Sequence, residues 1–257
     1  MFSLKGKRAF ITGSAAGIGL AVAKDFIKAG ATVIISDLSS GETVAEEIGA
    51  SFIQLDVTDE SKMQQAFEQI ENEHGKLDII VNNAGIALDV ESIETAPPNA
   101  LQKTVSVNLF GVYHGLKHGP KHMNDGGAII NLGSSAGSRM TTAGHGEYSA
   151  SKAGVAYLTR TAAIELGLRG IRVNAVCPGG IAGTGMPTPD DDSPTANFYR
   201  TITALGRMGT PEELLGLFNY LASDASAYLT GQEICIDGGM SAGISLPTLD
   251  KIMGESG

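Results

Sequence analysis

Short runs of consecutive apolar residues alternate along this chain with longer stretches of helical spacing. The runs Arg8–Thr12, Thr32–Ser36, Ser51–Leu55, Leu77–Val81, Ala128–Leu132, Ile171–Val176 and Glu233–Asp237 read as strands, apolar nearly throughout, as strands covered on both faces are. Between them, one helix is expected from near Ile18 to Gly30, a glycine placed where a helix end wants one. Another spans the stretch DESKMQQAFEQIENEHG, with Asp59 and Glu60 in its first turn and Gly75 after its end. A third runs from Tyr148 to about Gly170, and a fourth, TPEELLGLFNYLAS, opens with a cap residue followed by proline. Alternation of this kind predicts an α/β fold, doubly wound and Rossmann-type, with a seven-stranded, mainly parallel sheet and helices on both faces. No internal repeat and no linker interrupts it, so residues 1–257 are expected to form a single domain. Two stretches break the rhythm. Residues 179–207 read as a long irregular insertion, with an acidic run at Asp190–Asp192, and the tail from Ser245 is weakly patterned.

Composition narrows the function classes. The net charge of −10 and the lack of a Lys/Arg run argue against a nucleic-acid partner. No 18-residue apolar stretch predicts a membrane span, and the first residues do not read as a signal peptide. Two cysteines, Cys177 and Cys235, make no disulfide framework, so a cytoplasmic location is expected.

The first strand runs into Thr12-Gly13-Ser14-Ala15-Ala16-Gly17-Ile18-Gly19. Gly13 permits a tight turn, Gly17 lets backbone approach a pyrophosphate, and Gly19 allows close packing, with the free N–H groups of the next helix facing the phosphates. Asp37 ends the second strand, where a carboxylate can accept hydrogen bonds from both adenosine ribose hydroxyls and repel a 2′-phosphate. The glycine loop carries no Arg or Lys, which favours NAD over NADP.

With Asp56 after the third strand, Asn82-Asn83-Ala84-Gly85 after the fourth, Asn108, a serine after the fifth, Tyr148-x-x-x-Lys152, and Pro178-Gly179 after the sixth, the chain resembles the short-chain dehydrogenase/reductase family in its single-domain branch. These residues follow the family's order over nearly the whole chain. Tyr148 and Lys152, four apart, share a helix face. A phenol titrates near pH 10, too high for a base at neutral pH, and a nearby ammonium or an oxidised nicotinamide lowers it.

The resemblance implies an NAD-dependent oxidoreductase that moves a hydride between nicotinamide and a secondary alcohol or ketone. In it Tyr148 is the general acid/base, and Lys152 tunes it and holds the nicotinamide ribose. Asn108 holds a backbone carbonyl and a water leading from Lys152. The resemblance places Gly13, Gly17, Ile18, Gly19, Asp37, Asp56, Val57, Asn83, Ala84 and Gly85 toward the adenosine and pyrophosphate. It places Pro178, Gly179, Ile181 and Thr184 at the nicotinamide end, in a loop one residue longer than the family's usual one. It further implies a homotetramer. Two other functions fit less well. One is a β-ketoacyl-carrier-protein reductase-like enzyme, which Asp37 disfavours because such reductases mostly use NADPH. The other is a non-catalytic NAD-sensing protein, which the intact Ser–Tyr–Lys set disfavours.

Which serine belongs to the set is open. Gly133-Ser134-Ser135-Ala136-Gly137 matches the G-x-S-x-G elbow of hydrolases, but His145 alone among the histidines follows it, and no acid lies between them. Counting forward from Asn131 on the strand gives Ser134; counting back from Tyr148 by the family's usual spacing gives Ser135. Strand register is the firmer ruler, so Ser134 is expected, as the group that orients the substrate oxygen. His114, His118 and His122 form a stripe at helical spacing, but no Glu or Cys in the stripe completes a metal site, and no metal is expected. Cys177 reads as a buried small hydrophobe, and His145 as a residue of the loop bordering the substrate.

Overall fold

In a computed structural model of the chain, describing residues 2–88, 91–184 and 193–254, seven strands form one parallel sheet in the order β3-β2-β1-β4-β5-β6-β7. In chain order these are β1 (Arg8–Thr12), β2 (Thr32–Asp37), β3 (Ser51–Gln54), β4 (Leu77–Asn82), β5 (Met123–Leu132), β6 (Arg172–Pro178) and β7 (Glu233–Ile236). Ten α-helical segments connect and cover them among the described residues: α1 (Gly17–Lys28), α2 (Glu42–Ile48), α3 (Glu60–His74), α4 (Ala100–Val105), α5 (Gly111–His118), the single turn α6 (Ser135–Ser138), α7 (Gly146–Leu166), α8 (Pro194–Ile202), α9 (Pro211–Ala222) and α10 (Leu246–Met253).

Successive side chains on a strand point to opposite faces, and the sheet uses this to build two cores. Ala9, Ile11, Val33, Ile35 and Val81 face one core with Val22 and Phe26 of α1 and Leu214 and Phe218 of α9. Phe10, Ile34, Ile80 and Ile129 face the other with Met63, Phe67 and Ile70 of α3 and Ala162 and Ala163 of α7. Phe10 and Phe67 meet edge to face at 5.4 Å. Each such buried large side chain contributes about 1.5–3 kcal/mol. Among the described residues no helix is long and apolar enough to cross a membrane.

The expected strands are all present, and Asp37 is the last residue of β2 as expected. Six helical segments, α2, α4, α5, α6, α8 and α10, lie outside the four helices that the sequence reading expects. α4 and α5, joined through a π-helical turn at Ser106–Phe110, occupy a stretch for which the sequence pattern predicts no helix. Glycines weaken a helix, but here they seat it: a Cβ on Gly111 would stand 2.8 Å from Val57, and one on Gly119 would stand 3.0 Å from the Phe67 ring. Residues 179–207 are not irregular throughout, since Ser193 caps α8 by accepting from the Ala196 N–H at 3.1 Å. Ser245 caps α10 in the same way, so the tail is also ordered as a helix. Asp190–Asp192 lie outside the described residues.

The strand order reverses at β1 and β4, and a crevice opens there at the carboxyl ends of the strands, where ligands bind in open α/β sheets. Gly13, Asp37, Asp56, Asn83, Ser134 and Pro178 end or follow β1 to β6 in turn, so the topology delivers them to one side of the molecule.

Candidate active site

A cleft of about 600 Å³ lies over that crevice. Its wall includes Gly13, Gly17, Ile18, Asp37, Asp56, Val57, Asn83, Ala84, Gly85, Tyr148, Lys152 and Thr184. Gly19, Asn108, Ser134, Pro178, Gly179 and Ile181 support the wall without lining it.

At one end the cleft is made of backbone. Gly13 sits at φ +62°, and a Cβ there would stand 2.6 Å from the Cα of Ala84. Its role is therefore close packing of the β1 turn on the β4 turn as well as the turn itself. A Cβ on Gly19 would stand 2.6 Å from the Gly13 carbonyl and 2.8 Å from Ser14 Cα. Gly17, at φ +58°, leaves room toward Thr184. α3, α8 and α10 have side-chain caps, but α1 opens at Ala16 with none, so its first N–H groups are left for a ligand. Thr12 ties the two turns together: its Oγ1 accepts from the N–H groups of Asn83 at 3.1 Å and Ala84 at 3.2 Å. Asn83 Nδ2 donates to the carbonyls of Thr12 at 2.9 Å and Gly13 at 2.7 Å. Sequence reasoning gave Thr12 no role, although its place in the motif was the available signal.

The Asp37 carboxylate is aimed by backbone N–H groups, accepting from Ala15 at 3.2 Å and Ser39 at 3.2 Å. Asp56 accepts from the Thr58 N–H at 2.9 Å and its hydroxyl at 2.7 Å. These observations test the fit of a dinucleotide: a cradle that any side chain at Gly13 or Gly19 would fill, an uncapped helix start for phosphates, and two fixed carboxylates at the far end. The residues fit.

The other end is made of buried polar side chains. Asn82 and Asn131 are register partners on β4 and β5, and Asn82 Nδ2 donates to Asn131 Oδ1 at 2.8 Å. Asn131 Nδ2 in turn donates to Thr159 of α7 at 2.9 Å. This amide chain fixes α7 against the sheet. At its next turn-end, Lys152 is 3 % exposed and donates to the Leu132 carbonyl at 2.7 Å. Burial pulls the Lys152 ammonium down to about 8, since no carboxylate offsets its desolvation. Asn108 sits in the π-helical turn, a feature frequent at functional sites, and both halves of its amide clamp Ile86: Nδ2 donates to the Ile86 carbonyl at 2.9 Å, and Oδ1 accepts its N–H at 2.7 Å. The backbone carbonyl held by Asn108 is thus that of Ile86. Ser151, which sequence reasoning missed, connects Asn108 to α7.

The two serines separate cleanly. Ser134 Oγ accepts from the Ala136 N–H at 3.1 Å and stands beside the Tyr148 phenol, where it favours the ionised form. Ser135 is fully buried and donates to the Pro178 carbonyl at 3.1 Å, stapling the ends of β5 and β6. It is neither exposed nor paired with a histidine, as a nucleophile elbow requires. The α6 turn that carries Ser134 packs directly on α7, because a Cβ on Gly137 would stand 2.8 Å from that of Lys152.

Tyr148 differs from expectation in one respect. Burial raises its phenol above the ordinary value, and the Ser134 hydroxyl only partly opposes this. The Lys152 ammonium lies 5.8 Å from the ring centroid and does not by itself hold the phenol down.

The remaining residues find structural places. Gly179 leaves no room for a side chain, with Asp237 Cα at 2.9 Å from where a Cβ would be, and Ile181 packs in the core. Thr184 Oγ1 donates to the Ile181 carbonyl at 2.9 Å. Cys177 is buried beside Gly133, its thiol pushed up to about 12 by burial, and is register partner of the free Cys235. His145 precedes α7, with Nδ1 buried and unpartnered. The histidine stripe does meet a glutamate, brought from another element: Glu60 Oε1 accepts from His118 at 3.1 Å. Lys117 takes the same oxygen, and no group of metal-binding side chains forms among the described residues.

Comparison with known proteins agrees with this architecture. The sequence model of a family described as enoyl-(acyl carrier protein) reductase matches residues 13–241. A 3-alpha-(or 20-beta)-hydroxysteroid dehydrogenase of Mycobacterium bovis is 38 % identical over 94 % of this chain and 92 % of its own. An NADP-dependent (R)-specific alcohol dehydrogenase of Lentilactobacillus kefiri is 37 % identical over 93 % of this chain and 98 % of its own. Among solved structures, a short-chain dehydrogenase/reductase from Serratia marcescens superposes with a TM-score of 0.86 at 35 % identity, covering 93 % of this chain and 99 % of that one.

Proposed function

The chain belongs to the short-chain dehydrogenase/reductase family, and on that premise we propose that it is an NAD-dependent oxidoreductase interconverting a secondary alcohol and its ketone, with Tyr148 as acid/base. The observation that carries this reading is the convergence of Ser134, Tyr148 and Lys152 at the end of β5, at the mouth of a glycine-lined cleft. An oxidised nicotinamide bound in this cleft would supply the hydride acceptor and a positive charge beside the phenol.

The chain's own residues handle the proton and the orientation. Ser134 accepts from the Ala136 N–H, so its single proton is free to donate to the substrate oxygen or to a phenolate at Tyr148. Tyr148 takes the alcohol proton during oxidation and returns it during reduction. Lys152 uses one of its three N–H donors on Leu132 and has the others for ribose hydroxyls. Asn108 Oδ1 and Lys152 Nζ stand 3.3 Å and 3.4 Å from where a Cβ on Gly85 would be, so the glycine keeps open the space for a water between them. Behind the wall, Pro178, Gly179, Ile181 and Thr184 would shape the nicotinamide end, and residues 179–207 would bear on substrate choice.

Asp37 supports NAD: its carboxylate, fixed by two N–H groups at the cleft rim, would repel a 2′-phosphate. The test is oxidation of cyclohexanol, 2-octanol and a 3α-hydroxysteroid with each cofactor. NAD should be used in preference, and Asp37→Ser should move the NAD/NADP ratio of kcat/KM about 100-fold toward NADP. Preference for NADP in the unaltered chain contradicts the assignment. We further propose a cytoplasmic homotetramer. The free thiols Cys177 and Cys235 support a reducing compartment, and exposed Phe110, Tyr113, Tyr157, Ile164 and Leu168 on the π-helical turn, on α5, and on and just beyond α7 support subunit contacts.

A further inference from the structure

The polar network behind Tyr148 contains a residue whose bonds have a direction. Ser151 is fully buried in the first turns of α7. Its hydroxyl donates to the Tyr148 carbonyl at 2.7 Å, which commits its only proton. Its oxygen can therefore meet the Asn108 amide, 3.1 Å away, only as an acceptor, and the group facing it must be the NH2. The amide is planar, so placing Nδ2 toward Ser151 places Oδ1 on the opposite side, toward Gly85 and Lys152. The Ile86 backbone agrees with this orientation at both of its groups. Turned the other way, the amide would point N–H donors at the Ile86 N–H and toward the ammonium, and a carbonyl at the Ser151 oxygen.

We infer that Ser151 is a positioning residue of the acid–base centre: together with the Ile86 backbone it holds the Asn108 amide in the orientation that keeps an acceptor rather than a donor on the Lys152 side. An acceptor there supports the ammonium, whose charge would join that of a bound oxidised nicotinamide in favouring a phenolate. Losing Ser151 leaves one Asn108 N–H buried without a partner and loosens the amide against its Ile86 clamp. The proton affinity of Tyr148 then rises.

The inference rests on the reading of Tyr148 as the acid/base, and the experiment separates the two. Ser151→Ala, Ser151→Cys, Tyr148→Phe, Asn108→Ala and the Asn108→Ala/Ser151→Ala double variant are assayed with NAD and cyclohexanol from pH 6 to 10. In parallel, phenolate absorbance is titrated with NAD present, and the Tyr148→Phe curve is subtracted to isolate Tyr148. Ser151→Ala should raise the Tyr148 midpoint by about half a pH unit or more and lower kcat at neutral pH about threefold or more, leaving KM for NAD within about twofold. In the Asn108→Ala background the same change should do nothing further, as expected of a residue acting through another. Should Ser151→Ala not fold, Ser151→Cys, with a weaker donor and acceptor, should shift the midpoint the same way by less. A lowered Tm with the midpoint and kcat of the unaltered chain overturns the inference alone. Turnover that survives Tyr148→Phe overturns the reading beneath it, and the inference with it.

Discussion

The two ends of the cleft are built from different material. The end proposed for adenosine is backbone: turns at Gly13, Gly17 and Gly19, an uncapped helix start, and carboxylates held by main-chain N–H groups. The reacting end is side chain: Asn82, Asn131 and Thr159 in one line of bonds, Ser134 and Tyr148, and Lys152, buried and without a carboxylate partner. A phosphate can be met by any N–H group in the right place, so main chain suffices there. A proton transfer needs groups of chosen pKa, and burying such groups costs stability. The reacting end should therefore trade stability for chemistry.

Lys152→Met breaks the comparison most strongly if it is wrong. The ammonium titrates at about 8 in the folded chain against 10.5 as an unperturbed side chain. The folded state therefore binds fewer protons than the unfolded state between those values, and stability from this group rises as pH climbs from about 8 to 10.5. Below pH 8 the full penalty applies, worth about 3 kcal/mol before the lost bond to Leu132 is subtracted. Lys152→Met should abolish turnover yet raise the Tm of the ligand-free protein by a few degrees at pH 7, and by less at pH 10. A fall in Tm at both pH values would mean that the ammonium stabilises the fold.

The serine pair sharpens the same contrast between two adjacent residues. Ser134→Ala should lower kcat about 100-fold, because the group works on developing charge, with only the small fall in Tm expected from losing its cap on the Ala136 N–H. Ser135→Ala should do the reverse: it strands the Pro178 carbonyl, costing about 1–3 kcal/mol of stability read as a denaturant midpoint, while kcat stays within about twofold. Exchange of these two outcomes would move the substrate-facing role to Ser135.

Legibility in the sequence follows the same division. The backbone end shows through because glycine is required where φ is positive or another chain segment touches, so Gly13, Gly17 and Gly19 could be read off with their reasons, as could Asp37 at the end of a strand. The strands were legible for their unbroken apolar character. Tyr148 and Lys152 were legible as a helix-spaced pair within a family pattern. Ser151 and Thr12 were not, because a serine or threonine beside a motif carries no sign of its partner until the chain has folded. The π-helical turn under Asn108 was not legible, because its sequence Ser106–Phe110 carries no mark of the altered hydrogen-bond spacing, while the glycines that follow it seat α5 on Val57 and the next turn on Phe67. The raised phenol of Tyr148 was also unreadable, since burial, not the neighbouring lysine, sets its direction in the ligand-free chain.

The measurement that bears most directly on Tyr148 as the acid/base is the pH profile of cyclohexanol oxidation with saturating NAD, read as kcat/KM from pH 6 to 10 under chemistry-limited conditions. With Tyr148 as the base, the rate rises with pH toward a plateau as the phenol ionises, and Tyr148→Phe lowers the plateau by about 10²–10⁴-fold and removes the rise. A flat profile, or a rise that survives in Tyr148→Phe, would show that another group moves the proton.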